Sequence, residues 1–149
     1  MSVYAALEDL GVVLPAVTAP VAAFVPWTRA GDLLYVSGHI AKADGKPWVG
    51  QVGGSLTLEE GCRAARSTAI DILGTLQAAT GDLDAVLQIV KLTVLVNSAP
   101  TFTEQHLVAN GASEMLQKVF GTPHARSAYG VVQVPFGACV EIEAVAQVA

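Results

Sequence analysis

The chain has 149 residues, of which 52 % are hydrophobic and only 14 % charged, with a net charge of −5. This length and apolar content suit one domain spanning 1–149 around a single core, and they exclude a two-domain machine. Ordinary soluble domains carry roughly 25 % charged residues, so the shortfall predicts a surface partly covered in an oligomer. The acidic balance and scattered Lys and Arg residues leave no basic footprint, which makes nucleic acid an unlikely class of partner.

In chain order, Ser2 to Leu10 is a short helix closed by Gly11. The start has no basic region and continuous apolar stretch of the kind a cleaved signal requires. A charge-free run of 19 residues lies between Asp9 and Arg29. Pro15, Pro20 and Pro26 rule it out as a membrane helix, because each removes a backbone donor. It reads as extended structure, and residues 1–20 form an amino-terminal extension. Ala22 to Thr28 and Leu33 to Ser37 are β-leaning runs around Ala30-Gly31-Asp32, a predicted hairpin.

A helix is predicted from Leu58 to Thr80, opened by Thr57 with Glu60 at capping-box spacing and closed by Gly81. Cys62, Ala65, Ala69, Ile72, Leu73 and Leu76 define its buried face. Ile89 to Val96 alternates as a strand, with Val90, Leu92, Val94 and Val96 on one side and Lys91 and Thr93 on the other. Thr101 to Phe120 has helical spacing, interrupted by Asn110-Gly111, which opens the alternative of two short helices. Ser127 to Val134 and Ala138 to Val148 are expected to pair as a terminal hairpin around Pro135-Phe136-Gly137. In the last strand, Val140, Ile142, Ala144 and Ala146 share one side, while Cys139, Glu141, Glu143, Val145 and Gln147 share the other. The order ββαβαββ implies an α+β fold with two helices on one face of a mixed sheet. The mixed polarity of the second face suits a seam between subunits.

Few residues suggest chemistry. His39, His106 and His124 lack metal-ligand spacing, and Gly50, Gly53 and Gly54 match a turn better than a phosphate loop, so neither a metal nor a cofactor is expected. Cys62 and Cys139 have no framework spacing, which reads as free thiols in a reducing cytoplasm. Gly121 to Ser127 is a Gly/Pro loop delivering Arg126 to the start of a strand, with no acidic residue between it and Glu141. The planar fork of Arg126 suits a carboxylate; from residue type alone, a core or interface salt bridge is the commoner role. Glu141 lies in an apolar strand, where burial favours abnormal titration and work as a general base, although a solvated face or a structural partner for Arg126 is the plainer reading. Ser37 serves a ligand or only a turn, and Asn110 serves a site or caps a helix.

Taken together, Leu34-Tyr35-Val36-Ser37-Gly38-His39, the alanine-rich helix, Gly81-Asp82-Leu83, Val90 to Val94, Ala125-Arg126-Ser127 and Glu141 to Ala144 resemble the Rid (YjgF-like) family of imine/enamine deaminases, whose older label is L-PSP endoribonuclease. The amino-terminal extension, Asn110 to Ser113 and His124 to Ala128 are similar to its longer branch. The resemblance implies a chorismate-mutase-like fold and a cytoplasmic homotrimer with a central barrel and clefts between subunits. It also implies cofactor-independent hydrolysis of reactive imines, with a small carboxylate-bearing metabolite as partner and no membrane involvement. By that resemblance Arg126 grips the substrate carboxylate, Glu141 positions the water, and Ser37 and Asn110 line the pocket. Phe24 stands where members usually have tyrosine, and Ala128 where cysteine is frequent, so the pocket is less polar than theirs. The resemblance leaves two further readings, a carboxylate-binding module without turnover and, less favoured, RNA cleavage.

Overall fold

The computed structural model describes residues 2–17 and 22–149; Pro20 and the extended reading of 18–21 lie outside them. Helix α1 (Val3–Asp9) opens at Ser2, whose hydroxyl accepts from the Ala5 amide, and it buries Val3, Ala6 and Leu7. Strands β1 (Trp27–Ala30) and β2 (Leu33–Ile40) form the expected hairpin. The first strand begins at Trp27 rather than Ala22, because Pro26 has no N–H for a ladder; only its carbonyl is used, accepting from the Ser37 amide. A small hairpin follows, β3 (Lys42–Ala43) with β4 (Lys46–Pro47).

Helix α2 (Leu58–Thr80) has the expected bounds, with both halves of the Thr57/Glu60 capping box formed and Gly81 in the left-handed region at φ 74°. Ala65, Ala69, Ile72, Leu73 and Leu76 are fully buried, and each isoleucine or leucine so placed contributes about 1.5–3 kcal/mol. Cys62, at the margin of that face, is half-buried and donates to the Leu107 carbonyl. Strand β5 (Val86–Asn97) buries Leu92, Val94 and Val96, but Val90 points outward. A bulge between Ile89 and Lys91 shifts the register there and turns Ile89 into the core instead.

Helix α3 (Gln105–Phe120) runs through Asn110-Gly111 as a single helix. A Cβ at Gly111 would collide with the Cys62 backbone, so this glycine lets α2 and α3 touch, at a propensity cost of about 1 kcal/mol. Strands β6 (Ala125–Val131) and β7 (Val140–Val148) complete the sheet, ordered β1-β2-β7-β5-β6.

That order corrects the expected terminal hairpin. β6 pairs parallel with β5 at the sheet edge, while β7 lies between β2 and β5, antiparallel to both. β2 and β5 are therefore parallel to each other, and β2-α2-β5 and β5-α3-β6 are successive crossovers moving the same way across the sheet. Parallel crossovers are right-handed, so both helices fall on one face. The α+β class and the ββαβαββ order stand.

In β7, Val140, Ile142, Ala144 and Ala146 are buried, and Glu141, Glu143, Val145 and Gln147 lie on the open face. Cys139 departs from the expected alternation and is fully buried: it precedes the strand, held by backbone bonds to Trp48 and Asn97. Tyr35 and Tyr129 add exposed aromatic surface. No helix among the described residues is long and apolar enough to cross a membrane.

Candidate functional site

The singled-out residues fall into two clusters. In the first, His106, Asn110 and Ser113 follow one another at four- and three-residue spacing, a single stripe of α3 turned toward β6. Arg126 reaches that stripe from the start of β6. Its Nη1 donates to Asn110 Oδ1 (2.8 Å) and Ser113 Oγ (3.2 Å), and its Nη2 donates to the His106 carbonyl (3.1 Å). All three acceptors are neutral. Among the described residues they occupy three of the five guanidinium N–H donors, leaving Nε–H and one Nη2–H for another acceptor. Charged donors of this kind suit a carboxylate. Ala128 is half-buried two residues along β6, aligned with Val94 as Arg126 is with Leu92.

The second cluster surrounds Glu141. The register between β2 and β7 slips between Val36 and His39, so Ser37 and Gly38 form a bulge beside the carboxylate. Ser37 Oγ donates to the Val25 carbonyl at 2.6 Å, tying the bulge to the segment that carries Phe24. His39 fixes it from behind. Its Nδ1 lies 2.6 Å from the Ser37 carbonyl, which only accepts, so Nδ1 carries the hydrogen and Nε2 accepts from the Thr75 hydroxyl at 2.7 Å. Burial holds the His39 pKa below its usual value, which keeps this neutral form.

Phe24, Ser37, Gly38, His39, Phe136 and Glu141 share a groove of about 640 Å³. Glu141 is half-buried, and burial, followed by the neighbouring charge of Glu143, raises its pKa. A carboxylate made more basic in this way is better matched to taking a proton from water near neutrality. Asp71, also in the groove, is likewise raised by burial.

One chain does not bring the two clusters together. Arg126 is level with Leu92 of β5, whose side chain faces the helices, whereas Glu141 is level with Leu95 and opens on the other face. Two strand spacings separate β6 from β7, about 10 Å, and three residues along the strand add about 10 Å more. Phe24, Ser37 and Glu141 therefore lie in one cluster, and Arg126, Asn110 and Ala128 in the other. Gly38, His39 and Ser113 carry structural roles that residue type did not reveal; the 106/110/113 spacing was the available signal for Ser113.

Among the described residues, no group of three His, Cys, Asp or Glu side chains is placed to hold a metal ion. Both cysteines are free; burial pushes the Cys139 thiol up to about 11 and raises that of Cys62.

Comparison with known proteins places this geometry. The chain is 50 % identical to protein TCP17 of Trypanosoma cruzi, over 97 % of this chain and 93 % of that protein. Among solved structures, Atu1372 from Agrobacterium tumefaciens, a protein of unknown function, shares 41 % identity with a TM-score of 0.90, over 99 % of this chain and 93 % of that one. A Shewanella oneidensis protein provisionally assigned as an endoribonuclease shares 26 % identity with a TM-score of 0.95, over 99 % and 100 % of the two chains. Residues 16–148 match the family model described as Endoribonuclease L-PSP, and the chain belongs to that family, the YjgF/Rid group.

Proposed function

We propose that the protein hydrolyses small 2-imino acids, the tautomers of 2-aminoacrylate-type enamines, to 2-oxo acids and ammonia. In this reading a homotrimer closes the site, joining the Arg126 half of one chain to the Glu141 half of a neighbour, and it works in the cytoplasm. The observation that carries the reading is Arg126, held by three neutral acceptors with two N–H donors to spare. The division of the site across the two faces of the sheet supports the oligomer, as does the exposure of Tyr35 and Tyr129 on the open face.

Arg126 holds the substrate carboxylate through charged hydrogen bonds of about 1.5–3 kcal/mol each. Water then adds to the imine carbon as Glu141 takes its proton, a contribution of roughly a hundred- to ten-thousand-fold. Glu141 returns that proton to the nitrogen, giving the carbinolamine; the carboxylate then takes the hydroxyl proton and passes it to the nitrogen as the C–N bond breaks, so ammonia leaves and a carbonyl remains. Neither step calls for a metal or organic cofactor.

The test is ammonia release from imines generated in situ by an amino-acid oxidase. Arg126→Ala is expected to abolish the acceleration, and unchanged acceleration refutes the assignment. Native mass spectrometry is expected to give three times the 15.4 kDa chain mass; monomer alone removes the shared cleft. Phe24 and Ala128 bring no hydroxyl or thiol to the cleft, and this favours a second reading, a carboxylate-binding module without turnover. Saturable binding of 2-oxo acids with no catalysis across a broad imine panel would establish it.

A further inference from the structure

His124 ends the loop between α3 and β6, two residues before Arg126. Its Nε2 lies 3.0 Å from Ser113 Oγ, the oxygen that also accepts from Arg126 Nη1 at 3.2 Å. Three side chains thus form a line, with the Ser113 hydroxyl in the middle. Ser113 has one hydrogen to give, and His124 Nε2 is its only side-chain acceptor among the described residues. With the Arg126 N–H already directed at the serine oxygen, the consistent arrangement runs one way, from guanidinium to hydroxyl to imidazole.

The surroundings favour that direction. Burial, followed by the adjacent charge of Arg126, lowers the His124 pKa, so the ring is neutral and offers a lone pair. Nδ1 is buried with no partner among the described residues, so Ser113 is the only group orienting the ring. Asn110 and the His106 carbonyl fix the guanidinium from the same helix, but neither engages a further side chain.

We infer that His124 is a positioning residue which, through Ser113, sets the direction in which Arg126 presents its open N–H edge. The inference deepens the carboxylate-anchor reading of Arg126 and rests on it for its functional consequence. It assigns His124 no contact with substrate. A hydrogen-bond relay of this kind matters because a bidentate contact depends on the plane of the guanidinium as well as on its distance.

The test compares Ser113→Ala, His124→Asn and His124→Gln with the unaltered protein. The Gln side chain extends an oxygen close to where Nε2 stands, whereas Asn is too short to reach Ser113. In the unaltered protein the Arg126 Nη1 hydrogens, held by Asn110 and Ser113, should give a resolved, slowly exchanging NMR signal at neutral pH. Ser113→Ala and His124→Asn should accelerate its exchange, and His124→Gln should preserve it. With pyruvate as probe, the first two variants should weaken binding about tenfold, as expected for loss of one hydrogen bond to a charged group, and His124→Gln less than about twofold. In turnover the loss should fall on KM with kcat nearly unchanged. Equal signals and equal affinities in His124→Asn and the unaltered protein overturn the inference, as does equal damage from Asn and Gln. If the unaltered protein binds no 2-oxo acid, the anchor reading fails, and the exchange of the Arg126 signal still decides the positioning role.

Discussion

Gly38 lies beneath the Glu141 carboxylate: a Cβ at position 38 would stand 2.5 Å from Glu141 Oε1 and 3.1 Å from Cδ. The obstructed atoms are the far end of a flexible side chain, so the fold has room to yield while the carboxylate does not keep its place. Gly38→Ala is therefore expected to leave Tm within about 2–4 °C of the original, a change of about 1 kcal/mol for a chain of this size. Imine turnover should fall about tenfold to a hundredfold, read as kcat, because a base displaced by an ångström loses its water. Full activity in Gly38→Ala would show that the orientation of Glu141 is irrelevant to turnover.

The raised pKa of Glu141 has consequences for both rate and stability. Burial and Glu143 favour the protonated carboxyl in the folded chain. The stability this contributes is present below the unfolded value and lost as pH rises through the folded one, so at neutral pH the ionised group is a net cost. Glu141→Gln removes the charge at nearly constant volume. Its Tm should exceed that of the unaltered protein at pH 7, and the difference should fade as pH falls to the ordinary carboxylate value of 4.5. Activity should be lost in the same variant. In the unaltered protein the acid limb of the pH–rate profile should lie above 4.5, and a limb at or below that value would separate the base from Glu141.

Gly111→Ala isolates the contact between the two long helices. An exposed helix interior would gain stability from the exchange, whereas here the added methyl meets the Cys62 backbone, which has no rotamer with which to retreat. The expected outcome is a loss of about 1–3 kcal/mol or more in chemical denaturation. Stabilisation would mean that α2 and α3 separate readily.

These three sites differ in how far local pattern exposed them. The limits of α2 depend on Thr57, Glu60 and Gly81, all within a turn of the ends they control, and were legible in the sequence. The apolar alternation of β7 was equally plain. Its neighbours were not, because β6 and β7 are consecutive in sequence and yet β5 separates them; that arrangement depends on pairings between strands far apart in the chain, from β2 at Leu33 to β6 at Val131. Val90 and Ile89 exchanged faces through a bulge that has no marker of its own. Arg126 and Glu141 were identifiable as candidates by residue type and resemblance, but their assignment to opposite faces is a matter of strand register. Gly111 carried a local signal that pointed the wrong way: its cost to an isolated helix was visible, whereas the helix it touches was not.

Asn110 offers the sharpest separation of stability from binding. Its Oδ1 accepts from Arg126 Nη1 at 2.8 Å, so Asn110→Asp places a carboxylate oxygen against the guanidinium with almost no change in shape. The new ion pair is partly solvated and contributes no more than about 1 kcal/mol, so Tm should stay level or rise. Binding responds in the opposite direction. The built-in carboxylate supplies the counter-ion that a ligand would otherwise bring, and an incoming anion then meets a neutral pair with a negative group at its side. Affinity for a 2-oxo acid should fall at least about tenfold by calorimetry, a loss of about 1.4 kcal/mol. Asn110→Ala should weaken binding less, because it loosens Arg126 without neutralising it. Unchanged affinity in Asn110→Asp would mean that the ligand carboxylate binds elsewhere.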